Sequence, residues 1–180
     1  MKEDPRAIRT KELIKEATYA LLHEGIAIHQ LSVQRITKQA KLNRTTFYLH
    51  YLDVNDLVDA LIEEKRAEIH AKIQPLFLTK DYEDNHFLVA LLTFLKEERT
   101  NLILLFQADQ LEALLHELYV ELILSRRKNT KRVSENRLID PNVKASALVG
   151  IIMWWFKSDS PIEAAQLAAQ INSMFRRPIT

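Results

Sequence analysis

The chain of 180 residues contains no cysteine and only two glycines. The absence of cysteine excludes disulfides, thiolate zinc sites and cysteine nucleophiles. Two glycines are too few for a phosphate-binding glycine-rich loop or for a sandwich of many tight turns. No apolar run approaches the ~18 residues that a membrane span requires. The first ten residues, MKEDPRAIRT, lack the apolar core of a signal peptide. We therefore expect a cytoplasmic protein with no membrane partner.

The net charge of +1 conceals an uneven distribution of charge along the chain. Residues 1–52 carry nine Lys or Arg against five Asp or Glu, whereas residues 53–124 carry six against fifteen. A basic head followed by an acidic body is typical of a protein in which only the head meets a polyanion. A further basic run, SRRKNTKR at 125–132, is interpreted as a solvated loop.

Apolar residues recur at three- and four-residue spacing along almost the whole chain, which predicts an all-α fold of about nine helices. The head, residues 1–52, should hold three helices, the last of them over about 44–51. A long fourth helix, 53–74, should connect the head to the rest of the chain and end at Pro75. The body, residues 75–180, should consist of the remaining helices.

The head has the layout of a helix-turn-helix unit, because its second and third helices are short and joined by a tight turn. In such a unit the second helix of the pair lies in the major groove of DNA. The third helix of the head carries an unusual density of hydrogen-bond donors: Arg44, Thr45, Thr46, Tyr48 and His50. Hydroxyl and imidazole groups can donate to phosphates, and arginine can bind guanine through two hydrogen bonds. The head is therefore predicted to bind DNA.

The segment from Leu31 to Val58, LSVQRITKQAKLNRTTFYLHYLDVNDLV, resembles the DNA-binding signature of the TetR family of bacterial transcriptional regulators. The resemblance extends to the leading helix, RTKELIKEATYALLHEG, and covers about sixty residues. The remaining residues, about 120, fit only the looser pattern of an all-helical ligand-binding and dimerisation domain. The resemblance implies a homodimeric regulator, in the first instance a repressor, that binds a pseudo-palindromic operator in double-stranded DNA. It also implies an unidentified small-molecule effector that controls release.

The resemblance also implies roles for individual residues of the head. Phosphate contacts are implied for four side chains: Ser32, Thr46, Tyr48 and His50. Four others occupy positions from which bases are read: Gln34, Arg44, Thr45 and Leu49. Phe47 matches the position that packs the recognition helix on the core of the head. Two residues depart from the family pattern: Lys41 replaces the usual turn glycine, and Val54 replaces a lysine that grips phosphate, for which Lys38 or Lys41 could substitute.

In the body, the resemblance implies an apolar effector pocket and an interface between the last two helices of two copies. The candidate pocket residues are aromatic: Phe94, Phe106, Tyr119 and Trp154. The candidate interface residues are Leu148, Ile152, Trp155, Ala168, Ile171 and Phe175.

Motifs of catalysis and metal binding are incomplete in this sequence. The spacing Glu83-x-x-His86 occurs in di-iron helical bundles, but the second such pair is missing. No His-Glu-x-x-His or Gly-x-Ser-x-Gly motif occurs. We therefore expect no enzymatic activity, metal or cofactor. Two alternatives stay open: a helical interaction module or co-activator that has lost operator binding, which the absence of lysine at Val54 favours, and a non-regulatory bundle that binds small molecules.

Overall fold

The structure is a computed structural model that describes residues 4–78, 84–129, 139–158 and 161–176. Within these residues it contains nine α-helices, one short 3₁₀ turn at Ile28–Gln30 and no strand. The helices in chain order are α1 (Pro5–His23), α2 (Val33–Ala40), α3 (Arg44–Tyr48), α4 (Val54–Leu78), α5 (Asp84–Glu97), α6 (Ile103–Gln107), α7 (Gln110–Asn129), α8 (Pro141–Lys157) and α9 (Ala164–Arg176). The predicted all-α fold of about nine helices is confirmed.

Helix α4 is longer than the sequence pattern predicts. It continues through Pro75 to Leu78, so the prediction that this proline ends the helix at residue 74 is wrong. Proline lacks an N–H and clashes with the carbonyl one turn earlier, but the residues after it can still form helical hydrogen bonds.

The chain divides into two compact units. The first unit comprises Met1–Ala67 and Thr100–Gln110, and the second comprises Glu68–Arg99 and Leu111–Thr180. Helix α6 therefore belongs to the same unit as the head, a placement that the spacing of apolar residues does not indicate. The functional division into a DNA-binding head and an effector-binding, dimerising body stays a prediction.

The core of the first unit combines residues from α1 to α4 with one residue from α6. Its buried members are Ile14, Leu21, Leu22, Leu31, Ile36, Phe47, Leu57, Val58, Leu61 and Leu104. Two threonine hydroxyls are buried as well, and each donates to a backbone carbonyl one turn earlier: Thr18 to Ile14 at 2.8 Å and Thr37 to Val33 at 2.7 Å. Buried polar groups that keep a hydrogen bond in this way do not destabilise the core.

Helix α1 ends in a Schellman motif, the turn in which a left-handed residue lets two backbone N–H groups bond back to the last helical turn. The N–H of Gly25 donates to the carbonyl of Leu22 at 3.1 Å, and the N–H of Ile26 donates to that of Leu21 at 3.0 Å. Gly25 has a φ of 87°, which glycine adopts without steric cost.

Helix α2 ends in the same type of turn, but with a lysine in the left-handed position. The N–H of Lys41 donates to the carbonyl of Lys38 at 3.3 Å, and the N–H of Leu42 donates to that of Thr37 at 2.9 Å. Lys41 has a φ of 54°. The turn therefore keeps the shape that glycine usually provides, at the steric cost of a side chain in the left-handed region.

Replacing Lys41 by glycine should raise the free energy of unfolding by about 0.5–1 kcal/mol, because it removes this strain. The measurement is urea unfolding followed by circular dichroism. Lys38→Gly is the matched control, since it removes the same charge inside α2 and should lower stability by about 1 kcal/mol. If Lys41→Gly and Lys38→Gly lowered the free energy of unfolding equally, the assignment of strain to Lys41 would be wrong.

The second unit is a helical bundle in which α5 packs against α8 and α9. Its core is dominated by leucine, and the buried residues include Leu88, Leu91, Leu92, Leu95, Leu114, Leu118, Leu122, Leu148 and Leu167. The indole Nε1–H of Trp155 donates to the carbonyl of Ile162 at 2.7 Å, which ties α8 to the residues just before α9. Among the residues that the structure describes, no helix has the length and apolarity needed to cross a bilayer.

Candidate nucleic-acid interface

Side-chain caps fix where the two helices of the helix-turn-helix unit begin. The Oγ of Ser32 accepts from the N–H of Arg35 at 3.3 Å, and the Oδ1 of Asn43 accepts from the N–H of Thr45 at 3.3 Å. Serine and asparagine are preferred at this position because they satisfy an N–H of the first turn. The cap uses the oxygen of Ser32 as an acceptor, so its hydroxyl proton stays available for a phosphate.

Helix α3 is anchored by one aromatic side chain. Phe47 is completely buried and its ring lies 5.6 Å from that of Tyr48, edge to face, and 5.7 Å from that of Tyr51. Partial burial of Tyr51 raises the pKa of its phenol, partly offset by the positive charge of Lys11, so Tyr51 stays neutral as a packing group. The predicted packing role of Phe47 agrees with this geometry.

The other side of α3 is open to solvent. Tyr48 is 57% exposed and Leu49 is 76% exposed, which is unusual for an aromatic and a large aliphatic side chain. Arg44 is exposed too, and among the described residues none forms a hydrogen bond or ion pair with its side chain. An exposed arginine at the start of a helix gains nothing from the helix dipole, which favours a partner outside the fold.

The structure places all eight predicted DNA-contacting residues between the start of α2 and the residues just after α3. Five are exposed: Gln34, Arg44, Thr45, Tyr48 and Leu49. The other three are half-buried: Ser32, Thr46 and His50. Their roles in DNA contact stay predictions, because the position of a side chain does not identify its partner.

The surface charge of this region is entirely positive. Residues 25–52 contain no Asp or Glu, and their four basic side chains, Arg35, Lys38, Lys41 and Arg44, are all exposed. Sequence reasoning missed Arg35, although the absence of acidic residues from 25 to 52 was a readable signal. Such a surface attracts a polyanion.

At the start of α4, Val54 occupies the position where the sequence resemblance leads one to expect a phosphate-binding lysine. Val54 is half-buried and packs against the core of the first unit. The cap of α4 is formed by acidic side chains: Oδ1 of Asp53 accepts from the N–H of Asp56 at 2.9 Å, and Oδ2 of Asp56 accepts from the N–H of Leu52 at 2.8 Å. Any phosphate contact must therefore come from elsewhere, and Lys38 and Lys41 are both exposed.

The four residues predicted to line an effector pocket are divided between the two units. Phe106 lies in the first unit, whereas Phe94, Tyr119 and Trp154 lie in the second. Trp154 is 55% exposed and so does not line an enclosed pocket. The assignment of these four residues to an effector pocket stays a prediction.

A different cavity, of about 740 Å³, lies between α7 and the start of α8. It is lined by His116, Glu117, Val120, Glu121, Leu124, Ser125 and Asn142. Nε2 of His116 lies 3.2 Å from Oγ of Ser146, and Nε2 of His70 lies 3.9 Å from a carboxylate oxygen of Glu121. The cavity thus mixes carboxylates with aliphatic side chains, and sequence periodicity alone did not indicate it.

Most of the residues predicted for the dimer interface are covered within the single chain. Five of the six residues are buried in the core of the single chain: Leu148, Ile152, Trp155, Ala168 and Ile171. They have no surface to offer a second copy. The side chain of Phe175 lies outside the described residues.

Helix α8 presents a second apolar line on its exposed side. We call Val143, Ala147, Gly150 and Trp154 the α8 stripe, since their spacing of four, three and four residues puts them on one face. Val143 is 61% exposed, and Ala147 and Gly150 are exposed as well. A Cβ added at Gly150 would meet no atom within 4 Å, so this face is open.

The described residues contain no group of three or more His, Asp or Glu side chains that could hold a metal ion. Glu83, one half of the Glu-x-x-His spacing, lies outside the described residues.

Comparison with known proteins supports the fold. No protein-family model matches the chain. A curated protein, the uncharacterized helix-turn-helix-type transcriptional regulator YxbF of Bacillus subtilis (strain 168), is 32% identical over 66 residues. That match covers 37% of this chain and 17% of the curated protein, so this likeness is local.

Two solved structures resemble nearly the whole chain. The fatty acid degradation regulator FadR from Bacillus halodurans superposes with a TM-score of 0.66 at 17% identity, over 99% of this chain and 100% of that one. A TetR transcriptional regulator from Streptococcus agalactiae 2603V gives 0.64 at 20% identity, over 96% of each chain. The chain is thus an all-α protein of the helix-turn-helix class. Its fold is that of the TetR-family transcriptional regulators, which confirms at the level of fold the resemblance found in the sequence.

Proposed function

We propose that this protein is a TetR-like transcriptional regulator that binds a pseudo-palindromic operator as a homodimer, in the first instance as a repressor released by a small-molecule effector. The observation that carries the proposal is the surface of α2 and α3. It combines four exposed basic side chains, no acidic residue from 25 to 52, and an exposed row of donors on a helix that Phe47 anchors.

Each exposed side chain of α3 suits a particular contact in the major groove. The guanidinium of Arg44 can donate to both N7 and O6 of a guanine, and Leu49 can lie against the methyl group of a thymine. The hydroxyl of Tyr48 and the imidazole of His50 can donate to phosphates, which position the helix without reading sequence.

A homodimer follows from the geometry of operators. Two recognition helices reach successive major grooves only if they are held about 34–36 Å apart. The α8 stripe is the surface that supports association, because it is apolar, exposed and interrupted by a glycine that permits close approach.

Control by an effector rests on the second unit. The cavity of about 740 Å³ beside α7 is open to solvent and offers the carboxylates of Glu117 and Glu121 to orient a ligand. A ligand that binds one spacing of the recognition helices better than another shifts the population towards that state.

The test is selection of bound fragments from genomic DNA, followed by titration of the selected duplex at several salt concentrations. The affinity should fall steeply with salt. Arg44→Ala should weaken binding by about 1–3 kcal/mol, because a bidentate base contact is lost. Arg44→Lys is the matched control: it keeps the charge but not the two-pronged donor, so it should keep salt-sensitive binding and lose discrimination at one base pair.

A duplex affinity that did not respond to salt would contradict the proposal. It would favour the second candidate, a helical interaction module or co-activator that has lost operator binding. The burial of Val54 at the position of a phosphate-binding lysine is the observation on its side.

A further inference from the structure

A glutamine from α6 reaches the connection between α1 and α2. Oε1 of Gln107 accepts a hydrogen bond from the N–H of Ile28 at 3.1 Å, across 79 residues of sequence and in a half-buried position. We infer that Gln107 is a positioning residue for DNA binding, since it holds the connection that leads from α1 into α2. This inference rests on the proposed function of the head.

The N–H of Ile28 depends on Gln107 because the 3₁₀ turn supplies no acceptor for it. Within the turn, the N–H of Gln30 donates to the carbonyl of Ala27 at 2.8 Å, and the N–H of Leu31 donates to that of Ile28 at 3.0 Å. The N–H of Ala27 reaches Oε1 of Gln30 at 3.4 Å. A half-buried N–H without an acceptor is costly, so the connection is held in place by the amide from α6.

The backbone of α6 is itself fixed in the first unit. Leu104 is completely buried in that unit's core, and Ile103 packs against the same core. Gln107 follows Leu104 by three residues, so the two side chains share a face of the helix. Leu104 therefore fixes the position of α6 on the core, and Gln107 restrains the residues before α2 through its hydrogen bond to Ile28.

Chain connectivity gives this restraint a regulatory consequence. Helix α6 lies between α5 and α7 in sequence, and most of both helices belongs to the second unit. Short links, residues 98–102 and 108–109, join them to α6. A ligand-induced change in α5 or α7 therefore has a covalent route to the connection before α2, in addition to the route through α4.

The experiment compares three variants of the full chain. Gln107→Met keeps the length of the side chain but has no oxygen acceptor, whereas Gln107→Glu keeps an oxygen at the same distance. Gln110→Met is the control, because Oε1 of Gln110 accepts from Nη1 of Arg66 at 3.4 Å and does not touch the connection. Native-state hydrogen exchange of the Ile28 amide tests the restraint, and titration of the selected duplex tests its role.

In Gln107→Met the Ile28 amide should exchange about fivefold faster, as expected for the loss of one hydrogen bond. Duplex affinity should fall by a similar factor with an unchanged salt dependence, because the number of phosphate contacts stays the same. Gln107→Glu should keep most of the protection of the Ile28 amide and most of the duplex affinity. Gln110→Met should change neither the protection nor the affinity.

Two results would overturn the inference: an Ile28 amide equally protected in wild type and Gln107→Met, or a duplex affinity that does not change while protection is lost. Failure of the proposed function is a separate result, since the wild-type protein would then show no salt-sensitive duplex binding at all. The exchange rate of Ile28 is measured without DNA and keeps the two failures apart.

Discussion

Replacing Phe47 by alanine should lower the free energy of unfolding of the first unit by about 3–5 kcal/mol, the range for a fully buried phenylalanine. Phe47 is completely buried and contacts two tyrosine rings, so its removal leaves a cavity that the short α3 does not fill. Since α3 carries the proposed base-reading residues, duplex binding should be lost together with stability.

Urea unfolding followed by two probes measures this effect. Both tryptophans of the chain, Trp154 and Trp155, lie in the second unit, so their fluorescence reports that unit, whereas circular dichroism reports all helices. The loss in Phe47→Ala should appear in the circular dichroism transition.

Leu49→Ala is the matched control for Phe47→Ala. Leu49 lies two residues further along but is 76% exposed, so its truncation should change stability by less than about 0.5 kcal/mol. It should instead weaken binding to sites that present a thymine methyl to α3. If both variants cost the same stability, Phe47 is not the anchor of the recognition helix.

Much of the head could be predicted from its sequence because the signals are local. Ser32 and Asn43 cap the helices that follow them, and Gly25 ends α1, since capping chemistry acts over two to four residues. The prediction that α4 ends at Pro75 is wrong because a proline weakens a helix locally without deciding where the helix ends.

The place of α6 could not be predicted because its partners are distant in sequence. The spacing of Leu104 and its neighbours predicts burial, but periodicity does not say against which helix a residue packs. The hydrogen bond between Gln107 and Ile28 spans 79 residues and leaves no signature in either segment.

Sequence periodicity does not separate a core face from an association face on α8, because α8 is apolar nearly all round. Leu148 and Ile152 face the core, whereas Ala147, Gly150 and Trp154 face solvent, and both sets recur with helical spacing. A helix of this kind has no polar side to distinguish the core from a surface for association. The packing of α5 against α8 and the hydrogen bond from Trp155 to Ile162 identify the side of α8 that is already covered.

Replacing Trp154 by glutamate should convert the proposed dimer to monomers. Trp154 is 55% exposed on the α8 stripe, and exposed tryptophans are frequent anchors of interfaces. Losing such an anchor costs about 2 kcal/mol or more, which corresponds to a rise of at least about 30-fold in the dissociation constant of the dimer. A carboxylate without a partner in an apolar interface adds to that cost.

Sedimentation velocity over a range of protein concentrations measures this effect. Ile8→Glu is the control, because Ile8 is 45% exposed on α1 and its replacement introduces the same charge outside α8. Equal dimer dissociation in the two variants would remove the α8 stripe from consideration as the interface.

Gly150→Leu separates association from folding. A Cβ at Gly150 meets no atom of its own chain within 4 Å, and leucine favours helix over glycine by about 0.8–1 kcal/mol. As a monomer, the variant should therefore be at least as stable as the wild type. In a dimer, the leucine side chain would hold apart two helices that approach closely at the glycine. A dimer weakened by Gly150→Leu without loss of helical stability would place the contact on this face, whereas an unchanged dimer would exclude close packing there.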